Sequence, residues 1–183
     1  MKVVRNLKYR TLFSGLGVAS VTPFKSDFSV DELAIQNICN YFIKSKVSFV
    51  VVQGTTGESS TLSENEKEFV NDFFIKNLHS KIPLVLGIGS NNTNEIISKL
   101  KSFDLSHFDA IMSVCPYYSK PSQSGIIKHF EKVSEHSRKP IILYNVPSRT
   151  GIDMTDETII HLSKSCENII GVKEASGIPS RIN

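Results

Sequence analysis

The chain has no tryptophan, only three cysteines in 183 residues, and no apolar run long enough to cross a bilayer. Cys39, Cys115 and Cys166 are odd in number and lack CxxC spacing, which argues against a disulfide framework and favours free thiols in a reducing cytoplasm. His79, His107, His129, His136 and His161 are scattered without metal-ligand spacing, so no metal is expected. G-x-G-x-x-G, P-loop and Gly-x-Ser-x-Gly motifs are all missing, which removes the usual dinucleotide, nucleotide and hydrolase signatures. The formal charge of +3 is spread along the sequence, and no nucleic-acid partner or membrane is expected. The first dozen residues carry Lys2, Arg5, Lys8 and Arg10 without an acid. They have neither an apolar stretch nor a small-residue cleavage pattern, and residues 1–14 are read as a surface extension instead of a targeting segment.

What is present is a recurrence. Apolar, β-like runs begin near Gly17, Ser48, Ile82, Asp109, Lys139 and Asn168, and no Gly/Ser-rich linker divides them. Amphipathic segments lie between, at residues 30–45, 63–78, 93–103, 122–137 and 155–163. Ser63 with Glu66 forms a capping box at the head of the second, and Thr155 to Thr158 repeats it less clearly. Alternation of near-continuous apolar strands with helices implies a parallel sheet covered by helices, hence an α/β fold. The repeat predicts a partial TIM (β/α)8 barrel with about six βα units, over residues 15–183. A doubly wound sheet is the competing architecture, but Thr22-Pro23-Phe24 follows the first strand where a glycine-rich turn would stand.

Barrel chemistry sits at the carboxyl ends of the strands. There the sequence places Thr22, then Gly54-Thr55-Thr56-Gly57-Glu58, Gly89-Ser90-Asn91, Pro116-Tyr117-Tyr118, Tyr144-Asn145 with Arg149, and Lys173-Glu174. Lys173 ends an Ile-Ile-Gly-Val run, where partial burial would lower its pKa toward the neutral amine that imine formation on a carbonyl requires. A GTTG turn offers closely spaced amides and two hydroxyls for a small carboxylate, tyrosine and threonine hydroxyls can pass protons, and Arg149 can grip a carboxylate bidentately. Singly, each has a plainer explanation: a tight turn before a helix, a snorkelling lysine, loop packing, a solvated arginine. Their joint fall at strand ends is what points to a site.

Four of these stretches resemble the dihydrodipicolinate synthases, within the pyruvate-dependent lyases: Gly54-Thr55-Thr56-Gly57-Glu58; Pro116-Tyr117-Tyr118 followed by Lys120-Pro121-Ser122-Gln123; Tyr144-Asn145-Val146-Pro147-Ser148-Arg149-Thr150-Gly151; and Gly171-Val172-Lys173-Glu174-Ala175. The resemblance implies that Lys173 forms an imine with pyruvate, that Tyr144, Thr55 and Tyr118 form a proton relay, and that Thr56 holds the pyruvate carboxylate, with Gly54 also among the substrate-binding positions. It implies Arg149 for the carboxylate of aspartate semialdehyde, no cofactor, and a homo-oligomer, dimer or tetramer, in which Tyr118 reaches a neighbouring site. Ser59, Ser60, Asn91, Glu95 and Tyr117 match a lysine-binding allosteric site of the family, while Glu64 and Lys67 stand where its lysine-sensitive type carries two histidines.

The family barrel has two further strands and a C-terminal helical region that are missing here, so the chain reads as an incomplete barrel. Beside the condensing lyase of lysine and diaminopimelate biosynthesis stand two alternatives: a non-catalytic remnant, and a related pyruvate aldolase acting on another aldehyde.

Overall fold

A computed structural model describes residues 7–182. Its contacts divide the chain into two compact units, residues 1–87 with 106–109, and residues 88–105 with 110–183. The expected N-terminal extension lies partly outside the described residues; within them, helix α1 occupies Leu7–Leu12, and Phe13 meets Phe49 edge to face at 5.4 Å between ring centroids.

The first unit holds strands β1 (Gly17–Ala19), β2 (Phe49–Val52) and β3 (Leu84–Gly87), joined by helices α2 (Glu32–Lys44) and α3 (Glu64–Leu78). All pairs are parallel, with Val18 beside Val50 and Val51 beside Val85. Parallel strands covered by helices bury their side chains on both faces, which explains why Val50, Val51 and Val52 form an unbroken apolar run with all three buried. Ile35 and Cys39 of α2 and Val70, Phe74 and Leu78 of α3 close the core. Each such aliphatic side chain contributes on the order of 1.5–3 kcal/mol by leaving water. Both helix starts are capped: Asp31 accepts from the Ala34 amide, and Ser63 and Glu66 complete the expected box.

The second unit contains α4 (Thr93–Ser102), β4 (Ala110–Val114), α5 (Gln123–His136), β5 (Ile141–Asn145), the short helix α6 (Pro147–Thr150), α7 (Asp156–Ser165) and β6 (Ile169–Glu174), and a 3₁₀ turn at Pro179–Ile182. β4, β5 and β6 are again parallel and adjacent in chain order. Ile96, Ile111, Ile126, Phe130, Val133, Ile141, Leu143, Met154 and Leu162 form its core. Ser122 and Thr155 cap α5 and α7.

Six parallel strands in chain order, each joined to the next through a helix, make the chain an α/β protein of the partial (β/α)8 barrel type. Each predicted strand and helix is present within about three residues of its expected start, as boundaries read from sequence allow. Two α-helices were not anticipated: α1, and α6, which spans Pro147-Ser148-Arg149-Thr150. Proline at the first helical position and Gly151 at φ +72° after the last turn are the ordinary start and stop signals of a helix.

Candidate active site

In the first unit the stretch after β2 is tightly wound. Gln53 and Glu58 both lie in the left-handed region, at φ +59° and +54°, and between them Thr55–Gly57 forms one 3₁₀ turn. The Gly57 and Glu58 amides donate inward to the Gly54 and Thr55 carbonyls, at 3.0 and 3.1 Å. Thr55 and Thr56 are left exposed at the start of the turn, where amides have no partner within a helix. Thr22 braces this turn from β1: its hydroxyl donates to the Gly57 carbonyl at 2.7 Å, buried. That bond occupies the Thr22 proton and assigns the residue to support. Gly87 on β3 is a steric necessity, because a Cβ there would stand 2.3 Å from the Gln53 carbonyl oxygen.

In the second unit the register of β5 and β6 decides the arrangement. Ile141 pairs with Ile169 but Ile142 pairs with Gly171, so Ile170 is an extra residue in β6, a bulge. Beyond it Tyr144 stands beside Lys173 and Asn145 beside Glu174. Without the extra residue, uninterrupted pairing from Ile169 would set Lys173 beside Asn145, on the opposite face. The outcome is a lysine Nζ held 4.4 Å from the centroid of the Tyr144 ring. Tyr144 is buried and Lys173 half-buried. Burial holds the Lys173 pKa below its ordinary value. The ring face favours an ammonium, yet loss of water is the larger influence, as the sequence led one to expect.

Arg149 lies exposed on α6, and among the described residues no carboxylate pairs with it. Its helix is held from below by Thr150, whose hydroxyl bonds to the Val146 and Ile152 carbonyls at 3.2 and 2.7 Å. Tyr118 is 88% exposed, with φ at +70° and its amide on the Thr150 carbonyl at 3.4 Å. It therefore shares neither the burial nor the ring contact of Tyr144. Of the positions matched to an allosteric site, Asn91 donates to the Tyr117 carbonyl at 3.2 Å, and Glu95 accepts from Ser90 at 2.8 Å. Ser59 and Ser60 lie in the other unit, just past the 3₁₀ turn, and Glu64 and Lys67 pair with each other at 2.8 Å.

Three residues near the site were given no role by the sequence. Gln123 accepts from the Thr155 amide and the Thr158 hydroxyl and donates to the Asp153 carbonyl, tying α5 to α7. Asp153 and Arg181 bond to each other at 2.8 Å close to the ends of β5 and β6. Gln123 was visible within a motif, whereas Asp153 and Arg181 carry no local signal. Among the described residues, no cluster of three or more His, Cys, Asp or Glu is arranged to hold a metal ion, and no helix is long and apolar enough to cross a membrane.

Consecutive parallel βα units with a half-buried lysine closing the sixth strand over a tyrosine of the fifth define a barrel protein with its polar residues gathered at strand ends. The sequence model of the Dihydrodipicolinate synthetase family matches residues 12–183, and the chain belongs to that family. It is 53% identical over 165 residues to a 4-hydroxy-tetrahydrodipicolinate synthase of Flavobacterium psychrophilum, covering 90% of this chain and 56% of the relative. The same enzyme of Parabacteroides distasonis is 45% identical over 163 residues, covering 89% and 55%. Among solved structures, dihydrodipicolinate synthase from Thermotoga maritima superposes with a TM-score of 0.89 at 34% identity over 93% of this chain and 58% of that one. The enzyme from Aquifex aeolicus gives 0.86 at 37% identity, over 93% and 58%. The chain thus spans little more than half the length of the relatives it matches.

Proposed function

We propose that Lys173 is the nucleophile of a synthase that condenses pyruvate with L-aspartate 4-semialdehyde, the lysine and diaminopimelate branch of amino-acid biosynthesis. The observation that carries this reading is the half-buried Lys173 Nζ, 4.4 Å from the Tyr144 ring centroid, with its pKa lowered by burial. A neutral amine adds to the pyruvate ketone and water leaves, giving an imine. The imine draws electrons from the pyruvate methyl, which loses a proton to become an enamine carbon, and that carbon attacks the aldehyde. Proton movements at these steps fall to the hydroxyls of Tyr144, Thr55 and Tyr118, the last contributed by a second copy of the chain in a homo-oligomer. Thr56, on the turn begun by Gly54, suits the pyruvate carboxylate. The uncommitted guanidinium of Arg149 suits the carboxylate of the acceptor. An aldehyde without a carboxylate would leave Arg149 without a role, which favours the semialdehyde over other acceptors.

The test is incubation with pyruvate and borohydride, followed by mass analysis of peptides. The peptide containing Lys173 should gain a reduced pyruvyl group; a label on Lys164, or on no lysine, overturns the assignment. Lys173→Arg should abolish the adduct, because a guanidinium stays protonated. In the same assay Arg149→Ala should keep the adduct while turnover with the semialdehyde falls roughly a hundredfold, the loss of about 2–3 kcal/mol of charge-assisted hydrogen bonding.

A further inference from the structure

Behind the Lys173 and Tyr144 pair, four side chains form a closed polar network. Asn145 is fully buried. Its Nδ2 donates to Asp153 Oδ1 at 2.7 Å and to the two Glu174 oxygens at 3.2 and 3.0 Å, and its Oδ1 accepts from the Met154 amide at 3.1 Å. Glu174 also accepts from the Ser176 amide at 2.7 Å. Arg181 closes the network: its Nη1 donates to Asp153 Oδ1 at 2.8 Å and stands 3.7 Å from Glu174, its Nη2 donates to the Met154 carbonyl at 2.8 Å, and its Nε donates to Asp156 at 3.0 Å.

Consecutive strand residues project to opposite faces. Tyr144 and Lys173 are paired, and so are Asn145 and Glu174, the next residue of each strand. The network and the reacting amine are therefore back to back on the same two strand ends. Asp153 and Glu174 both approach the Asn145 amide, and two carboxylates so placed would repel each other without a cation between them. Burial pushes Asp153 up, but bonds from Arg181 and Asn145 outweigh it and hold its carboxyl below the usual range. Glu174 is held down against burial in the same way, by Asn145 and Ser176 and by the charge of Arg181.

We infer that Arg181 is a positioning residue: by binding Asp153 and the Met154 carbonyl, in the segment before α7 that Asn145 at the end of β5 also bonds to, and neutralising Glu174 at the end of β6, it holds the two strand ends in the register that keeps Lys173 Nζ over Tyr144. This rests on reading Lys173 as the reacting amine and deepens it. The guanidinium fork is required because three of its nitrogens are used, in three directions.

The test needs no substrate. Trace acetylation of amines by acetic anhydride is followed across pH, and the Lys173 peptide is compared with that of exposed Lys164 by mass spectrometry. In Arg181→Met, Lys173 swings into water, and its half-labelling pH should rise by about half a unit or more while that of Lys164 stays put. Asp153→Ala, at a side chain 43% exposed, should shift Lys173 in the same alkaline direction. Charge alone predicts the reverse, since removing an anion lowers the pKa of a nearby amine. An unchanged Lys173 profile in either folded variant, or an acid shift in Asp153→Ala, overturns the proposal; if Arg181→Met does not fold, Asp153→Ala decides alone. Pyruvate trapping on Lys173 with no acetylation shift in the variants would sink this inference only. An acetylation shift without pyruvate trapping in the unaltered protein would sink the imine reading only.

Discussion

A lysine that must act as a base or nucleophile needs to lose water without gaining a carboxylate partner, and Lys173 meets both conditions. It faces an aromatic ring, while the nearby carboxylate of Glu174 is turned to the other face and satisfied there. His129 shows the same physics away from the site. It is 5% exposed, its Nδ1 lies 2.8 Å from the Thr93 hydroxyl, and its Nε2 has no hydrogen-bond partner. Burial lowers its pKa from 6.5 to about 4. The unfolded chain therefore takes up a proton as pH falls through the ordinary histidine range, and the folded chain does so only near pH 4. The stability associated with neutral His129 is complete above that window and is lost progressively within it, by about 3 kcal/mol in all. Urea unfolding of His129→Leu between pH 7 and 4 should show a flatter decline than the unaltered protein; parallel curves would mean that other groups carry the acid sensitivity.

At the scale of elements, the head of α3 offers a clean measurement. Ser63 accepts from the Glu66 amide at 3.3 Å, and Glu66 accepts from the Ser63 amide at 2.8 Å, two donors that would otherwise go unsatisfied. Ser63→Ala should cost about 1 kcal/mol, read as a lowered urea midpoint with an unchanged slope. This cap was legible because it is local, four residues with a fixed pattern. The strands were equally legible, because buried parallel strands leave unbroken runs such as Val50 to Val52. The face that Lys173 occupies was not. Alternation counted from Ile169 sets residue 173 on the same side as Ile169, and only the bulge at Ile170 reverses it. A bulge is a property of two strands in register, and the Ile-Ile-Gly-Val run carries only the general signal of an interior glycine, Gly171, which does not say which residue is extra. Arg181 was hidden for a related reason: its partners at 153, 154, 156 and 174 converge only after α7 and β6 have folded back beside β5. The position of Tyr118 belongs with these, since its exposed ring and left-handed backbone arise from a turn that closes on Thr150, more than thirty residues away.

For the whole molecule, the edge strand is decisive. Among the described residues β6 pairs with β5 and with no other strand. Val172 is 40% exposed, Ile178 47%, and a Cβ on Gly171 would meet no atom within 4 Å. A parallel strand with a free edge and uncovered aliphatic side chains is a template for pairing with another chain. Proteins that keep such edges monomeric place charge or proline on them, whereas the centre of β6 carries Ile170, Gly171 and Val172. Residues 1–183 expressed alone should accordingly associate, eluting from size exclusion well ahead of a 20.4 kDa monomer and more so as concentration rises. Val172→Lys sets a charge on that edge without touching the Tyr144 contact of Lys173, and should shift elution back toward the monomer. A single, concentration-independent monomer peak with a sharp thermal transition for the unaltered chain would show that this edge is not adhesive. Equal association by Val172→Lys would place the contact elsewhere, with Tyr118, 88% exposed, as the next position to change.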